Sequence, residues 1–201
     1  MIEVEIKAKI ANPEFLKKEF EKHDGKYLLS LNHEDTYFNM PKKLRNFKKT
    51  DEALRIRKSI EFHKNQKDSN HKTKFYLTYK GKKIDTTTKS RNEVETEVSN
   101  GKQLKDILKS LGFREIFTVK KERELYKFNY NNRIIEVLID YIPILDEYFI
   151  EVELLVNTKP ELNGARAVLF NFLSLFGIRK KDSIRLSYLE LIAEKFKRKK
   201  L

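Results

Sequence analysis

Cysteine is absent from the 201-residue chain, which removes disulfides, thiolate zinc sites and thiol nucleophiles together and agrees with a reducing compartment. Any metal must then be held by oxygen ligands or by the 4 histidines. Only 6 glycines and 4 prolines interrupt the chain, too few for a disordered or low-complexity polymer. No apolar run approaches the roughly 18 residues that a membrane helix needs. The N-terminal MIEVEIKAKI alternates charge where a secretory signal would carry an apolar core. These absences together lead us to expect a cytoplasmic protein that does not enter the membrane.

What is present is charge. Lys and Arg total 43 against 30 Asp and Glu, a net +13, and charged residues make up 36% of the chain. Such a balance favours an anionic partner, whether phosphates, nucleic acid or an acidic membrane surface. The length suits one domain over residues 1–201.

Ile2 to Ile10 alternates strictly, with Ile2, Val4, Ile6, Ala8 and Ile10 on one face and Glu3, Glu5, Lys7 and Lys9 on the other, as a strand requires. Asn12-Pro13 then reads as a helix cap and first turn, with Phe15, Leu16 and Phe20 as its apolar stripe up to Asp24-Gly25. Lys26 to Asn39, Glu52 to Phe62, Lys72 to Lys80 and Arg91 to Ser99 read as further strands, with a polar loop from Pro41 to Asp51. Gly101 to Leu111 reads as a helix ended by Gly112. Three more strands follow, Phe113 to Asn129, Arg133 to Tyr141 and Tyr148 to Val156, with Asn131-Asn132 as a tight hairpin turn. After Pro160 the spacing becomes helical, through Ala167, Val168, Phe170, Leu173 and Phe176 to Gly177, and again from Ser187 to Lys200. The closing Lys-Phe-Lys-Arg-Lys-Lys run reads as a solvated helix end.

The strands repeat one feature: their alternate positions are charged. Arg55 and Arg57 flank Ile56; Arg91, Glu93 and Glu95 alternate around Val94; Lys121 and Arg123 share a face, as do Glu136 and Asp140; Glu151 and Glu153 flank Val152. Alternation alone favours an ordinary antiparallel sheet with one wet face. Two details point elsewhere. Acids concentrate on the first and last strands and bases on the middle ones, and there are enough strands to close a barrel that would aim these charges at each other. A cavity lined by Lys and Arg suits a polyphosphate, whose oxygens accept charge-assisted hydrogen bonds. Carboxylates in the same cavity would repel phosphate unless a divalent cation lay between, and Mg²⁺ or Mn²⁺ binds through carboxylates plus substrate phosphates.

EVEIK at 3–7 resembles the E-x-E-x-K motif of the CYTH superfamily, the triphosphate tunnel enzymes that include class IV adenylyl cyclases and thiamine triphosphatases. Its companions follow in order: HEDTYFN at 33–39, LRIR at 54–57, LTYKG at 77–81, SRNEVETEV at 90–98, KKERELY at 120–126, the Asp140 strand, FIEVELL at 149–155 and SYLEL at 187–191. DTYFN, LTYKG and TTTKSR look most like the class IV cyclase branch, including its archaeal members. LDEYFIEVE departs from the pattern, which often has glycine before this strand; the departure bears on the turn, not on the carboxylates.

The resemblance implies an α+β fold, a closed antiparallel β-barrel or tunnel of about eight strands with helices packed outside. It implies conversion of ATP to cyclic AMP and pyrophosphate with Mg²⁺ or Mn²⁺, or alternatively hydrolysis of inorganic triphosphate, thiamine triphosphate or a nucleoside triphosphate. A binding protein for polyphosphate or nucleic acid without turnover is disfavoured, because its carboxylates would have no use. A homodimer is compatible with the resemblance. Carried over by position, Glu3, Glu5, Asp140, Glu151 and Glu153 would hold metal, and Lys7, Arg55, Arg57, Lys80, Arg91, Lys121 and Arg123 would hold the triphosphate. Glu5, Lys7, Lys121, Arg123 and Glu153 would carry the chemistry. For Arg91 and Glu93 an ion pair inside the tunnel reads as well as a ligand contact; His33 reads as structural, and for Tyr37 strand packing reads as well as a bond to phosphate or the orienting of a lysine.

Overall fold

The first strand forms where alternation predicts it: β1 (Ile2–Ile10) buries Ile2, Val4, Ile6, Ala8 and Ile10. The computed structural model describes residues 2–63, 71–84 and 88–198. Asn12 accepts the Phe15 N–H at 2.9 Å and opens α1 (Pro13–Lys22), whose Leu16 and Phe20 turn inward. The strands β2 (Lys26–Asn39), β3 (Ala53–Phe62), β4 (Lys72–Lys80) and β5 (Arg91–Val98) follow. Next come α3 (Gly101–Ser110), β6 (Arg114–Tyr130), β7 (Arg133–Ile142), β8 (Glu147–Val156), α4 (Glu161–Ser174) and α5 (Tyr188–Arg198).

Three expectations change. The polar stretch from Pro41 to Asp51 contains a one-turn helix, α2 (Phe47–Thr50), because Asn46 caps the Lys48 N–H and Phe47 is buried. In α4 the fully buried positions are Ala165, Leu169, Phe172 and Leu173, while Ala167 is exposed. The helix is apolar on more than one face, so the spacing admitted two stripes. The turn before β8 needs no glycine, since Asp146 itself takes φ 56, a region that Asp tolerates better than most residues. The predicted end of the last helix at Lys199 and Lys200, and Thr86 and Thr87 of TTTKSR, lie outside the described residues.

The strands close on themselves in the order β1-β5-β4-β3-β2-β6-β7-β8, and every ladder is antiparallel. Closure sends one face of every strand into a lumen and the other outward. The outer apolar face of β1, β6, β7 and β8 packs under α1 and α4, through Phe20, Phe128, Leu169 and Phe172. A smaller cluster sets α3 against Phe38 and Ile56. α5 covers one end, where Tyr188 and Ile192 meet Val119, Ile142 and Phe149. Among the described residues no helix is long and apolar enough to cross a membrane.

β1 has a composite edge opposite β8. Only Ile2↔Asn92 and Glu3↔Arg91 pair it with β5. Beyond them Lys89 N–H donates to the Glu5 carbonyl at 3.0 Å and Ile184 N–H to the Lys7 carbonyl at 2.7 Å. The segments before β5 and before α5 thus complete the wall.

Candidate active site

Register fixes which charges meet. Glu5 stands opposite Glu153 and Lys7 opposite Glu151 across β1 and β8, so all four project to the same face, the lumen. Glu3, Glu5 and Glu153 each bring a carboxylate oxygen within 4.8 Å of the others. Burial and the nearby Glu3 and Glu5 push Glu153 well above the usual carboxylate range. Burial and Glu151 raise Glu5 to about 7, against the pull of Lys89.

The basic wall is pre-set by acids. Asp35 on β2 faces Arg57 on β3 and accepts from its Nε and Nη2 at 2.7 and 2.8 Å, and from Arg55 Nη1 at 3.3 Å. Although burial opposes it, the charges of Arg55 and Arg57 hold Asp35 well below the ordinary range. Arg55 also reaches Thr78 Oγ1 at 3.1 Å and Glu95 at 3.4 Å. Lys80 Nζ lies 2.5 Å from Glu93 and 3.6 Å from Glu3, so Glu93 takes part in an ion pair within the tunnel. Arg123 grips Asp140 through two bonds of 2.6 Å and reaches Glu151 at 2.5 Å. Lys121 Nζ stands 3.6 Å from Asp140; burial, then Arg123, lowers it to about 8. Arg91 sits 3.8 Å from Asp51.

One cavity of about 680 Å³ joins these walls, and it is lined by every predicted site residue except Lys7 and Asp140. Both of those are fully buried. Asp140 is engaged by Arg123 and by the Tyr188 hydroxyl at 2.8 Å, and it lies outside the Glu3, Glu5 and Glu153 group. Lys7 Nζ lies 4.0 Å from the centroid of the Tyr188 ring and 4.0 Å from Glu151, and makes no hydrogen bond among the described residues. Burial, then Lys89, brings it down to about 7. Glu151 lines the cavity but is likewise bound, to Arg123 and Lys89. His33 is buried, with Nε2 3.1 Å from Ser59 Oγ, and it also lines the cavity.

Sequence reasoning missed three residues. Asp35 was visible in HEDTYFN, but its task depends on the β2 and β3 register. Tyr188 was visible in SYLEL, but only the fold brings α5 over the lumen. Lys89 contacts Glu5 and sits 3.2 Å from Glu151. It shares parity with Arg91, Glu93 and Glu95, so extending that alternation two residues upstream would have found it.

The strands thus form a closed antiparallel tunnel with a carboxylate trio and a basic wall facing one cavity. The chain belongs to the CYTH domain family, whose model matches residues 1–188. It is similar to a Methanocaldococcus jannaschii protein named "Putative adenylate cyclase MJ0240", at 37% identity over 95% of this chain and 98% of that one. The solved structure of the PH1819 protein from Pyrococcus horikoshii superposes with TM-score 0.80 at 36% identity, covering 96% of this chain and 99% of the other. A Hippeastrum protein, HpAC1, described as having a dominant triphosphatase activity, shares the fold at 18% identity and TM-score 0.61, over 96% of each chain.

Proposed function

We propose that the chain is a metal-dependent enzyme that processes the triphosphate of a small molecule, acting as a class IV adenylyl cyclase-like lyase on ATP. The observation that carries this reading is the placement of Glu3, Glu5 and Glu153 on the same cavity as Arg55, Arg57, Lys80, Lys121 and Arg123. The 37%-identical relative's name supports the cyclase half.

The donor set fits a divalent cation. Three carboxylates converge within 4.8 Å, and burial together with Glu3 and Glu5 holds Glu153 well above the usual carboxylate range, a penalty that a hard cation with oxygen ligands relieves. Bound by Glu3, Glu5 and Glu153, Mg²⁺ or Mn²⁺ would neutralise phosphate charge and polarise phosphoryl oxygens.

The chain's own residues supply position and charge. Asp35 fixes the planes of Arg55 and Arg57, so their guanidinium forks meet phosphate oxygens without first losing rotamer freedom. Arg123, locked by Asp140, and Lys121 face the same cavity from β6. In the cyclase reaction the ribose 3′-hydroxyl gives its proton to water and its oxygen forms a bond to the α-phosphorus while the bond from that phosphorus to the bridging oxygen breaks. The electron pair leaves with pyrophosphate, and the basic wall stabilises that charge as it develops.

The test is product identification. Purified protein is incubated with Mg²⁺ or Mn²⁺ and, separately, ATP or inorganic triphosphate. Cyclic AMP plus pyrophosphate from ATP is the expected result. Orthophosphate alone would replace the cyclase reading with a triphosphatase acting at the terminal phosphorus, and no turnover of either compound would overturn the enzyme reading.

A further inference from the structure

Lys89 stands where its charge conflicts with the metal site. Its backbone N–H donates to the Glu5 carbonyl at 3.0 Å, and continuing the Glu3↔Arg91 register by two residues on each strand sets it opposite Glu5. Its side chain is therefore delivered to the lumen face from just beyond the end of β5. Nζ bonds Glu5 and lies 3.2 Å from Glu151 Oε1, with the Tyr188 ring centroid 6.0 Å away. Glu5 belongs to the carboxylate trio; Glu151 does not, being held by Arg123. Lys89 thus spans the carboxylate trio and the salt-bridged network beside it, and it lines the cavity.

Two cations cannot both use Glu5 at full strength, since like charges a few ångströms apart repel strongly in a desolvated site. We propose that Lys89 is a positioning residue that competes with the divalent cation for Glu5: without metal it holds Glu5 and Glu151 in place, and as metal and triphosphate load together its ammonium transfers from Glu5 to a phosphate oxygen. The anion supplies the partner that Lys89 gives up, so metal and anion favour each other's binding through this side chain. This rests on the proposed metal-triphosphate reading.

The experiment measures Mn²⁺ binding by calorimetry and by loss of the free-ion electron paramagnetic resonance signal, without any nucleotide. Wild-type protein, Lys89→Gln, Lys89→Arg and Glu5→Gln are compared. Lys89→Gln removes the competing charge and is expected to bind Mn²⁺ about tenfold more tightly than wild type, within the usual range of coupling between sites. Lys89→Arg grips two carboxylates through its planar fork and is expected to bind it more weakly than wild type. A lysine that merely supports the fold would move neither affinity upward. Unchanged or weaker Mn²⁺ binding in folded Lys89→Gln overturns the proposal; if that variant does not fold, an affinity in Lys89→Arg equal to or above wild type overturns it. Wild-type binding abolished by Glu5→Gln but indifferent to Lys89 leaves the metal reading standing and removes this inference alone. Absence of Mn²⁺ binding by wild type removes both.

Discussion

Asp35 shows how much of the site rests on acids that hold its basic residues in place. It is buried with Arg57 in a two-bond pair and with Arg55 at 3.3 Å, and removing one partner of a buried pair costs about 3–5 kcal/mol. Asp35→Asn is therefore expected to lose that much in urea unfolding at pH 7. Because its folded pKa is depressed below the ordinary aspartate value, its contribution is fully present above that value and declines as pH falls through the folded pKa. The variant should show a flatter acid limb than wild type, and parallel acid limbs would refute the assignment. Glu153 carries the opposite sign. Its pKa is raised by burial and by Glu3 and Glu5, so its ionised form weakens the metal-free fold increasingly as pH rises from the ordinary carboxylate value toward the folded one. Glu153→Gln should raise the melting temperature in EDTA at pH 7 while lowering turnover on the order of 10²-fold. A lower melting temperature in EDTA would sink the view that the trio is strained by its own charge.

At the scale of elements, period-2 alternation made β1, β7 and β8 legible because each has an apolar face under the helices and a charged face toward the lumen. Caps and turns were legible for the same local reason: Asn12 binds the Phe15 N–H, and Asn131 and Asn132 take φ 51 and 57, as a type I′ hairpin demands. The rest was hidden because it is not local. Asp35 and Arg57 lie 22 positions apart and meet through the β2-β3 register, and Lys89 and Glu5 lie 84 apart and meet only where the segment before β5 runs beside β1. Two glycines test the packing account with opposite signs. A Cβ on Gly25 would lie 2.4 Å from Phe128 Cζ and 2.8 Å from the Phe20 carbonyl oxygen, within the aromatic cluster that seats α1 and α4. Gly25→Ala should cost about 1–3 kcal/mol through forced repacking. Gly164, inside α4, has nothing within 4 Å of its Cβ position, and Gly164→Ala should gain about 0.5–1 kcal/mol from helix propensity. Thermal melts of both variants read the two signs directly, and a stabilising Gly25→Ala would contradict the described contact.

For the whole molecule, the net charge of +13 divides into exposed lysines and a lumen whose charges are paired across strands. The first population is screened by salt and the second far less so. A cation bound by the trio acts on the whole barrel, because Glu3 and Glu5 belong to β1 and Glu153 to β8, the strands that meet along a nine-residue ladder. Ligands that bind only the folded state stabilise it by mass action, about 2.7 kcal/mol at a concentration 100 times the dissociation constant. Mn²⁺ at saturating concentration should therefore raise the melting temperature of wild type by several degrees, with EDTA reversing the shift. In 1 M KCl the shift should persist, since the proposed ligand carboxylates are buried or half-buried. Glu153→Gln should lose most of it, even though that variant starts from the higher melting temperature in EDTA. The crossing of the two proteins between EDTA and Mn²⁺ separates a metal site from general stiffening of a charged barrel. Parallel shifts in wild type and variant would place the ion elsewhere on the molecule.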